Sequence, residues 1–193
     1  MSHYFIEDAS LQHNVVEKEV FIKTLKFSFF TDNGVFSKKG LDFGTRSLLE
    51  SLPDDISGDV LDFGCGYGPI GIYLKKRYNC NVDMIDINDR SLDLARKNAI
   101  KNNVSVNIFK SDIYENITKK YDYIITNPPI RVGKTILYKI VFDAKKYLKN
   151  GGKLYLVISK DQGAKSLMRD LEKEYKVQLV NKISGFFIIM AQN

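Results

Sequence analysis

The chain is poor in groups that hold metals or cross-link a fold. Its two cysteines, Cys65 and Cys80, stand without metal-ligand spacing, and its two histidines, His3 and His13, fall in an irregular N-terminal stretch with no assigned role. No metal and no disulfide framework are expected, and a reduced, cytoplasmic setting is the simplest reading. No apolar run approaches the roughly 20 residues needed to cross a bilayer. The segment Met1-Ser-His-Tyr-Phe-Ile-Glu-Asp8 lacks a basic region followed by an apolar stretch, so no secretory signal is read there. Internal repeats and low-complexity segments are absent as well.

What remains is globular. The 193 residues are 44% hydrophobic, with 12 Phe and 11 Tyr, enough for one domain with a sizeable core. The net charge is +6. It is uneven: Arg131 to Lys165 holds nine basic and two acidic residues, so this window is +7 and the rest sums to −1. Such a concentration suits a polyanion. The plainer alternative is a solvated, lysine-rich helix face.

Periodicity gives the organisation. Residues 1–19 read as irregular, and Phe21, Leu25, Phe27 and Phe29 alternate like one strand. Asp32-Asn-Gly34 signals a turn, and an apolar stretch before Leu52 fits a helix. From residue 60 strands and helices alternate. Strands are predicted over 60–63, 81–87, 104–109, 121–126 and 153–159. Helices are predicted over 69–78, 89–102, 133–148 and 164–175. In the second helix Leu92, Ala95, Ala99 and Ile100 share one face, and Asp93 and Lys97 stand four apart. Asn150-Gly-Gly152 should stop the third. Residues 177–181 and 186–190 form a hairpin around Ser184-Gly185. This pattern predicts an α/β fold: a mostly parallel sheet, helices on both faces, and an antiparallel pair at one edge.

Two segments carry chemistry. The first is Asp62-Phe-Gly-Cys-Gly-Tyr-Gly68, where a strand runs into a glycine loop and then a helix. Glycines let the backbone turn sharply and let a ligand approach. In open α/β sheets ligands bind at the carboxyl ends of strands, where this loop falls. Asp86, ending the next strand, can accept hydrogen bonds from ribose hydroxyls. Gly66-Tyr-Gly-Pro-Ile-Gly71 is also a literal GxGxxG with Asp86 20 residues on, which fits a nicotinamide dinucleotide. Two details oppose that reading. The match begins after the strand has ended, and the Asp62 carboxylate would repel a pyrophosphate. A cationic, phosphate-free cofactor such as S-adenosylmethionine suits Asp62 better. Cys65 reads as a small loop residue, not a nucleophile.

The second segment is Asn127-Pro128-Pro129-Ile130, at the end of the fourth strand of the alternating series. Two prolines fix φ and remove two donors, and Asn127 is held extended. The rigid loop offers the Asn127 side-chain oxygen and the Pro128 carbonyl as acceptors. Together they can hold the two hydrogens of an NH2 group and aim its lone pair at a methyl donor. Taken with the glycine loop, this selects methyl transfer to an exocyclic amine.

On these residues the sequence resembles the small-methyltransferase (MTS) family, and within it the small-subunit ribosomal RNA guanine-N2 methyltransferase C type. Gly34-Val-Phe-Ser37, Leu41-Asp-Phe-Gly-Thr45, the stretch from Val60 to Gly71, Asp86-Ile-Asn88, Ser111-Asp112, Thr126 to Arg131 and Lys160-Asp-Gln-Gly-Ala164 lie in the family's order and spacing. The resemblance implies a Rossmann-like, class I methyltransferase with a seven-stranded sheet of order 3-2-1-4-5-7-6. It implies one domain over 1–193, with 1–52 as a β-containing extension packing on the cofactor site and 53–193 as the S-adenosylmethionine-binding core. Asp62, Gly64, Cys65, Gly66 and Gly68 would hold the methionine end, Asp86 with Ile87 the ribose, and Asp112 with Ile113 the adenine. Phe36 and Thr45 would close over the cofactor.

The implied reaction is methylation of guanine N2 in 16S ribosomal RNA, by a monomer or homodimer working on free RNA or the small subunit. It needs no metal and no covalent intermediate, so positioning does the catalytic work. Asn127, Pro128, Pro129 and Ile130 are the catalytic set. Arg131, Lys134, Lys160 and Lys165 are the candidates for RNA phosphates, against a plain-surface alternative of equal weight. Ile130 replaces the aromatic residue of many adenine-N6 and glutamine-directed enzymes. Adenine N6, protein glutamine, and an inactive cofactor-binding assembly module are the competing readings.

Overall fold

The computed structural model describes residues 12–35, 37, 40–129 and 133–193. An antiparallel hairpin of β1 (Val16–Ile22) and β2 (Leu25–Thr31) comes first among the described elements. Residues 16–19, expected to be irregular, belong to β1, and the one strand expected across 21–29 is two; residues 1–11 lie outside the described residues. The chain reverses after Ile22, with Lys23 at φ 50°. The reversal switches which residues face inward. Ile22 pairs with Leu25 and Val20 with Phe27, so even positions of β1 share a face with odd positions of β2. Phe21 is therefore left 59% exposed, while Phe27 and Phe29 are buried and stack on each other. No glycine or proline marks this turn, which is why periodicity alone ran through it.

Strand β2 of the hairpin is tied down by two asparagines one turn apart on α3 (Asp89–Lys101 with Asn102 as its C-cap). Asn98 accepts from the Phe30 N–H at 2.7 Å and donates to the Phe30 carbonyl at 2.9 Å. Asn102 does the same for Ser28, at 3.1 and 2.7 Å. Side-chain amides thus replace a neighbouring strand for β2. On α3 Leu92, Ala95 and Ala99 face inward, but Ile100 is 77% exposed, against expectation. It lies one residue past Ala99, about 100° around the helix. The partner of Asp93 is Arg96, at 2.9 Å.

After α1 (Phe43–Ser51) the chain lays down β3 (Gly58–Phe63), α2 (Pro69–Arg77), β4 (Cys80–Asp86), α3, β5 (Asn107–Lys110), β6 (Tyr121–Thr126), α4 (Gly133–Tyr147), β7 (Leu148–Ser159), α5 (Ala164–Leu171), β8 (Lys176–Ile183) and β9 (Phe186–Gln192). The seven-stranded sheet runs β5-β4-β3-β6-β7-β9-β8, with β9 antiparallel to both neighbours, as expected. Period-two alternation sends side chains to two apolar layers. Val60, Ile125 and Tyr155 face the layer under α1, α2 and the hairpin; Leu61, Ile124 and Leu154 face the layer under α4 and α5. Both faces are covered, so the strands read as nearly continuous apolar runs.

Several boundaries differ from expectation. β5 begins only at Asn107. Helix α4 does end at Tyr147, close to the expected stop, but β7 follows at once from Leu148, so Asn150-Gly-Gly152 lies inside that strand. A Cβ on Gly152 would sit 3.0 Å from the Tyr121 carbonyl oxygen, so the glycine permits a close crossing where the β6–β7 register shifts. Helix α5 ends at Leu171, and Tyr175 instead buries its ring under α4, donating to the Val141 carbonyl.

Candidate active site

The carboxyl ends of β3, β4 and β6 converge on a cavity of about 580 Å³. This edge is open where the strand order reverses at β3, between β4 and β6, and the chain connections depart to opposite faces. Of the residues expected here, Thr45, Gly64, Cys65, Gly66, Asp86, Ile87, Asp112, Ile113, Asn127, Pro128 and Pro129 all line it. Phe36, Ile130 and Arg131 lie outside the described residues.

The glycine loop is anchored at both ends. Cys65 N–H continues the ladder to the Ile85 carbonyl at 2.8 Å, and Gly66 N–H donates to Asp86 Oδ2 at 2.8 Å. Gly64 and Gly66 have positive φ, and a Cβ on either would meet nothing within 4 Å. Those two positions leave room for a ligand against the backbone. Burial raises the Cys65 thiol well above its ordinary pKa, so it stays neutral and unreactive.

Two expected ligands, Gly68 and Asp62, are not among the residues that line the cavity. Gly68 is the left-handed N-cap of α2, and a Cβ there would strike Met84 Cε at 2.9 Å. It serves packing. Asp62 is fully buried beneath the loop. It shares strand parity with Val60, so its side chain goes to the face that α2 covers. Asp62 Oδ2 accepts from the Gly71 N–H at 2.8 Å, and Oδ1 has no partner. Burial, with some repulsion from Asp86, pushes its pKa up to about 8. Asp86 itself is raised by burial, although the N–H groups of Asn88, Gly66 and Ile87 pull it down. Asp86 does reach the cavity, with Oδ1 taking the Asn88 N–H at 2.9 Å.

The double-proline loop is pinned by Thr126, whose hydroxyl donates to the Phe63 carbonyl at 2.8 Å. Beyond it the Asn127 amide donates through Nδ2 to Thr45 Oγ1 at 2.9 Å and to Asp42 Oδ1 at 3.3 Å. Asp42 is the N-cap of α1, and its Oδ1 also accepts from the Thr45 N–H at 3.1 Å. A carboxylate has no hydrogen to give, so Asn127 must turn its NH2 toward Asp42. Asn127 Oδ1 is left as the free acceptor: among the described residues no hydrogen bond engages it or the Pro128 carbonyl. Asp42 was not singled out from the sequence as a site residue. Its neighbour Thr45 was, and the capping spacing from Asp42 to Thr45 is the signal that could have found it.

The basic window divides. Helix α4 runs back from the site, so Lys145, Lys146 and Lys149 lie toward the opposite end of the sheet. There Lys149 bonds Asp59 and Asp122, and Lys139 and Lys146 both bond Asp143. Lys134, Lys160 and Lys165 remain near the carboxyl ends, and Lys134 lines a second cavity beside Pro128 and Pro129. Among the described residues no His/Cys/Asp/Glu cluster could hold a metal, and no helix is long and apolar enough to cross a membrane.

Residues 26–190 match the family model described as "methyltransferase small domain". The chain belongs to that family. It is 39% identical to the uncharacterized protein YbxB of Bacillus subtilis, over 98% of both chains. It is 38% identical to ribosomal RNA small subunit methyltransferase C of Haemophilus influenzae, covering 75% of this chain and 45% of that protein. The chain thus spans less than half of that longer relative. Among solved structures, it resembles the T. thermophilus 16S rRNA N2-guanine methyltransferase RsmC, determined with AdoMet and guanosine, at a TM-score of 0.84 and 26% identity. That match covers 95% of this chain and 51% of the other. A ribosomal protein L11 methylase of Lactobacillus delbrueckii, at 20% identity and a TM-score of 0.67, shares the fold.

Proposed function

We propose that this methyltransferase uses S-adenosylmethionine to methylate an exocyclic amino group of RNA, namely N2 of a guanine in small-subunit ribosomal RNA. The observation that carries the reading is the Asn127 amide. Its NH2 is held by Thr45 and Asp42, so its oxygen is available as an acceptor.

The residues fit the cofactor. Gly64 and Gly66 leave a cradle that a Cβ would fill, and Asp86 supplies carboxylate oxygens for a ribose diol. Asp112 can accept from an exocyclic adenine amine, while Ile87, Ile113, Ile136 and Ile140 give apolar walls. Ile113 sits at φ 51°, an uncommon conformation for a β-branched residue, which suits a wall shaped for a ligand. When bound, S-adenosylmethionine supplies an electrophilic methyl carbon on a sulfonium. Asn127 Oδ1 and the Pro128 carbonyl would accept hydrogen bonds from the two hydrogens of the acceptor amine and hold its lone pair toward that carbon, and the proton that the methylated nitrogen must lose would leave to solvent. The two prolines fix the geometry in advance, so little reorganisation is needed at the moment of reaction. The acceptor base must be single-stranded or flipped to reach the loop. Lys134, Lys160 and Lys165 suit its phosphates.

The region 1–52 works, on this reading, as part of the active site. It supplies Asp42, Thr45 and Gly34 to the cavity wall. Mass spectrometry of nucleosides from ribosomal RNA, prepared with and without the protein, tests the reading. N2-methylguanosine appearing with the protein supports it. Methyl incorporation into protein glutamine or adenine alone overturns it.

A further inference from the structure

A second cavity of about 330 Å³ shares Pro128 and Pro129 with the first. It lies on the α4–α5 side of the loop, and its wall includes Lys134, Tyr138, Asp161 and Gly163. Its volume is at the small end of ligand pockets, which run from roughly 300 to 1,000 Å³. We infer that it receives the acceptor base, and that Asp161 selects guanine by accepting its N1–H. This rests on the amine-methylation reading of the site.

The edge of guanine presents O6, N1–H and the N2 amine in a row. With N2 held by Asn127 Oδ1 and the Pro128 carbonyl, the ring passes over the double-proline wall into the second cavity. The next group along the edge is then N1–H. A carboxylate accepts it in a charge-assisted bond. Adenine has an unprotonated N1 there, and its lone pair would face the carboxylate unfavourably. O6 follows, and Lys134 is a donor on the same wall.

The wall is built to hold these groups still. Asp161 sits in a single 3-10 turn, Lys160–Gln162, closed by a capping box in which Gln162 Oε1 accepts the Ser159 N–H at 2.9 Å. The Lys160 N–H bonds the Gly185 carbonyl at 2.8 Å, fixing the turn to the β8–β9 hairpin. Gly163 follows at φ 85°, where a Cβ would meet nothing within 4 Å. The Tyr138 hydroxyl donates to Asp170 at 2.7 Å, and Lys134 Nζ lies 4.9 Å from the Tyr138 ring centroid. Aromatic, cation and carboxylate are thus presented on one wall, and Asp161 itself is exposed.

The test compares methyl transfer to RNA carrying guanine or 2-aminopurine at the acceptor position. The analogue keeps the 2-amino group and loses N1–H and O6. Wild type should prefer guanine by about 10- to 100-fold in kcat/KM. In Asp161→Ala that preference should shrink at least several-fold, through loss on guanine alone, and Lys134 at O6 accounts for what remains. Preference undiminished in Asp161→Ala overturns the inference. Absence of transfer to any RNA overturns the functional reading instead. Titrating guanosine into isotope-labelled protein settles the pocket independently of turnover. Amide shifts at Asn127, Lys134, Asp161 and Gly163 support it. Shifts that leave Asp161 and Gly163 unmoved, or shifts there with a glutamine peptide and not guanosine, overturn it.

Discussion

Thr45 Oγ1 accepts a hydrogen bond from Asn127 Nδ2 at 2.9 Å, joining the first helix to the loop after β6 across 82 residues. With Asp42 on the same NH2, this contact decides which end of the amide meets the substrate. Asn127→Ala should keep S-adenosylmethionine binding by calorimetry and lose transfer by at least about 100-fold, the scale set by small misplacements at reacting atoms. Asp42→Asn adds a donor that lets the Asn127 amide turn over. It should lower kcat by a similar factor with little change in KM for the cofactor. Asp42→Ala should also lose a helix cap, at about 1 kcal/mol by chemical denaturation. Full activity in Asp42→Asn would show that the amide needs no orientation.

The glycines separate into two functional kinds. Gly66→Ala puts a methyl group into open cavity space, at a strained φ of 56°. It should weaken cofactor binding at least tenfold while leaving a folded protein, as read by calorimetry and circular dichroism. Gly71→Ala puts the same methyl 2.6 Å from Met84 Cγ and Sδ, in a buried wall. Its effect should be on stability, about 1–3 kcal/mol of overpacking, read by urea unfolding.

Much of this was legible in the sequence. The strand–helix alternation, the glycine loop and the Asn-Pro-Pro turn each rest on local pattern, the strand order came with the family resemblance, and the structure places them together. Other features depend on partners distant in sequence. Asp42 meets Asn127 across 85 residues, and Asn98 meets Phe30 across 68. No periodicity reports such contacts. Asp62 shows a second limit. Adjacency to the loop drew attention to it, whereas parity with Val60 is what sends its side chain under α2, where it meets the Gly71 N–H.

Asp62 gives a pH dependence with a definite sign. Its carboxyl is raised from the usual 3.8 to about 8 in the folded protein. Between those values the unfolded chain has released a proton that the folded one keeps. Stability must therefore fall as pH rises from about 4 to 8, and level off above. Asp86 shifts in the same direction and adds to the slope. Thermal unfolding of the ligand-free protein should show Tm falling across this window, each kcal/mol amounting to about 2–4 °C at this size. Asp62→Asn, which keeps an acceptor for the Gly71 N–H, should have the shallower profile. An identical slope in the variant would mean that the carboxyl is ionised when folded.

Asn98 couples the hairpin to the loop that faces the cofactor. Its Nδ2 donates both to the Phe30 carbonyl and, at 2.8 Å, to the carbonyl of Tyr67 within the glycine loop. Truncation leaves those acceptors and the Phe30 N–H unpaired in a buried setting, at about 1–3 kcal/mol for a group so orphaned. Asn98→Ala should therefore unfold at lower urea. It should also bind S-adenosylmethionine more weakly, since the loop loses an anchor. Asn102→Ala frees Ser28 without touching the loop, so it should lose stability and keep cofactor affinity. Equal affinity loss in the two variants would place the effect in the hairpin and not in Tyr67.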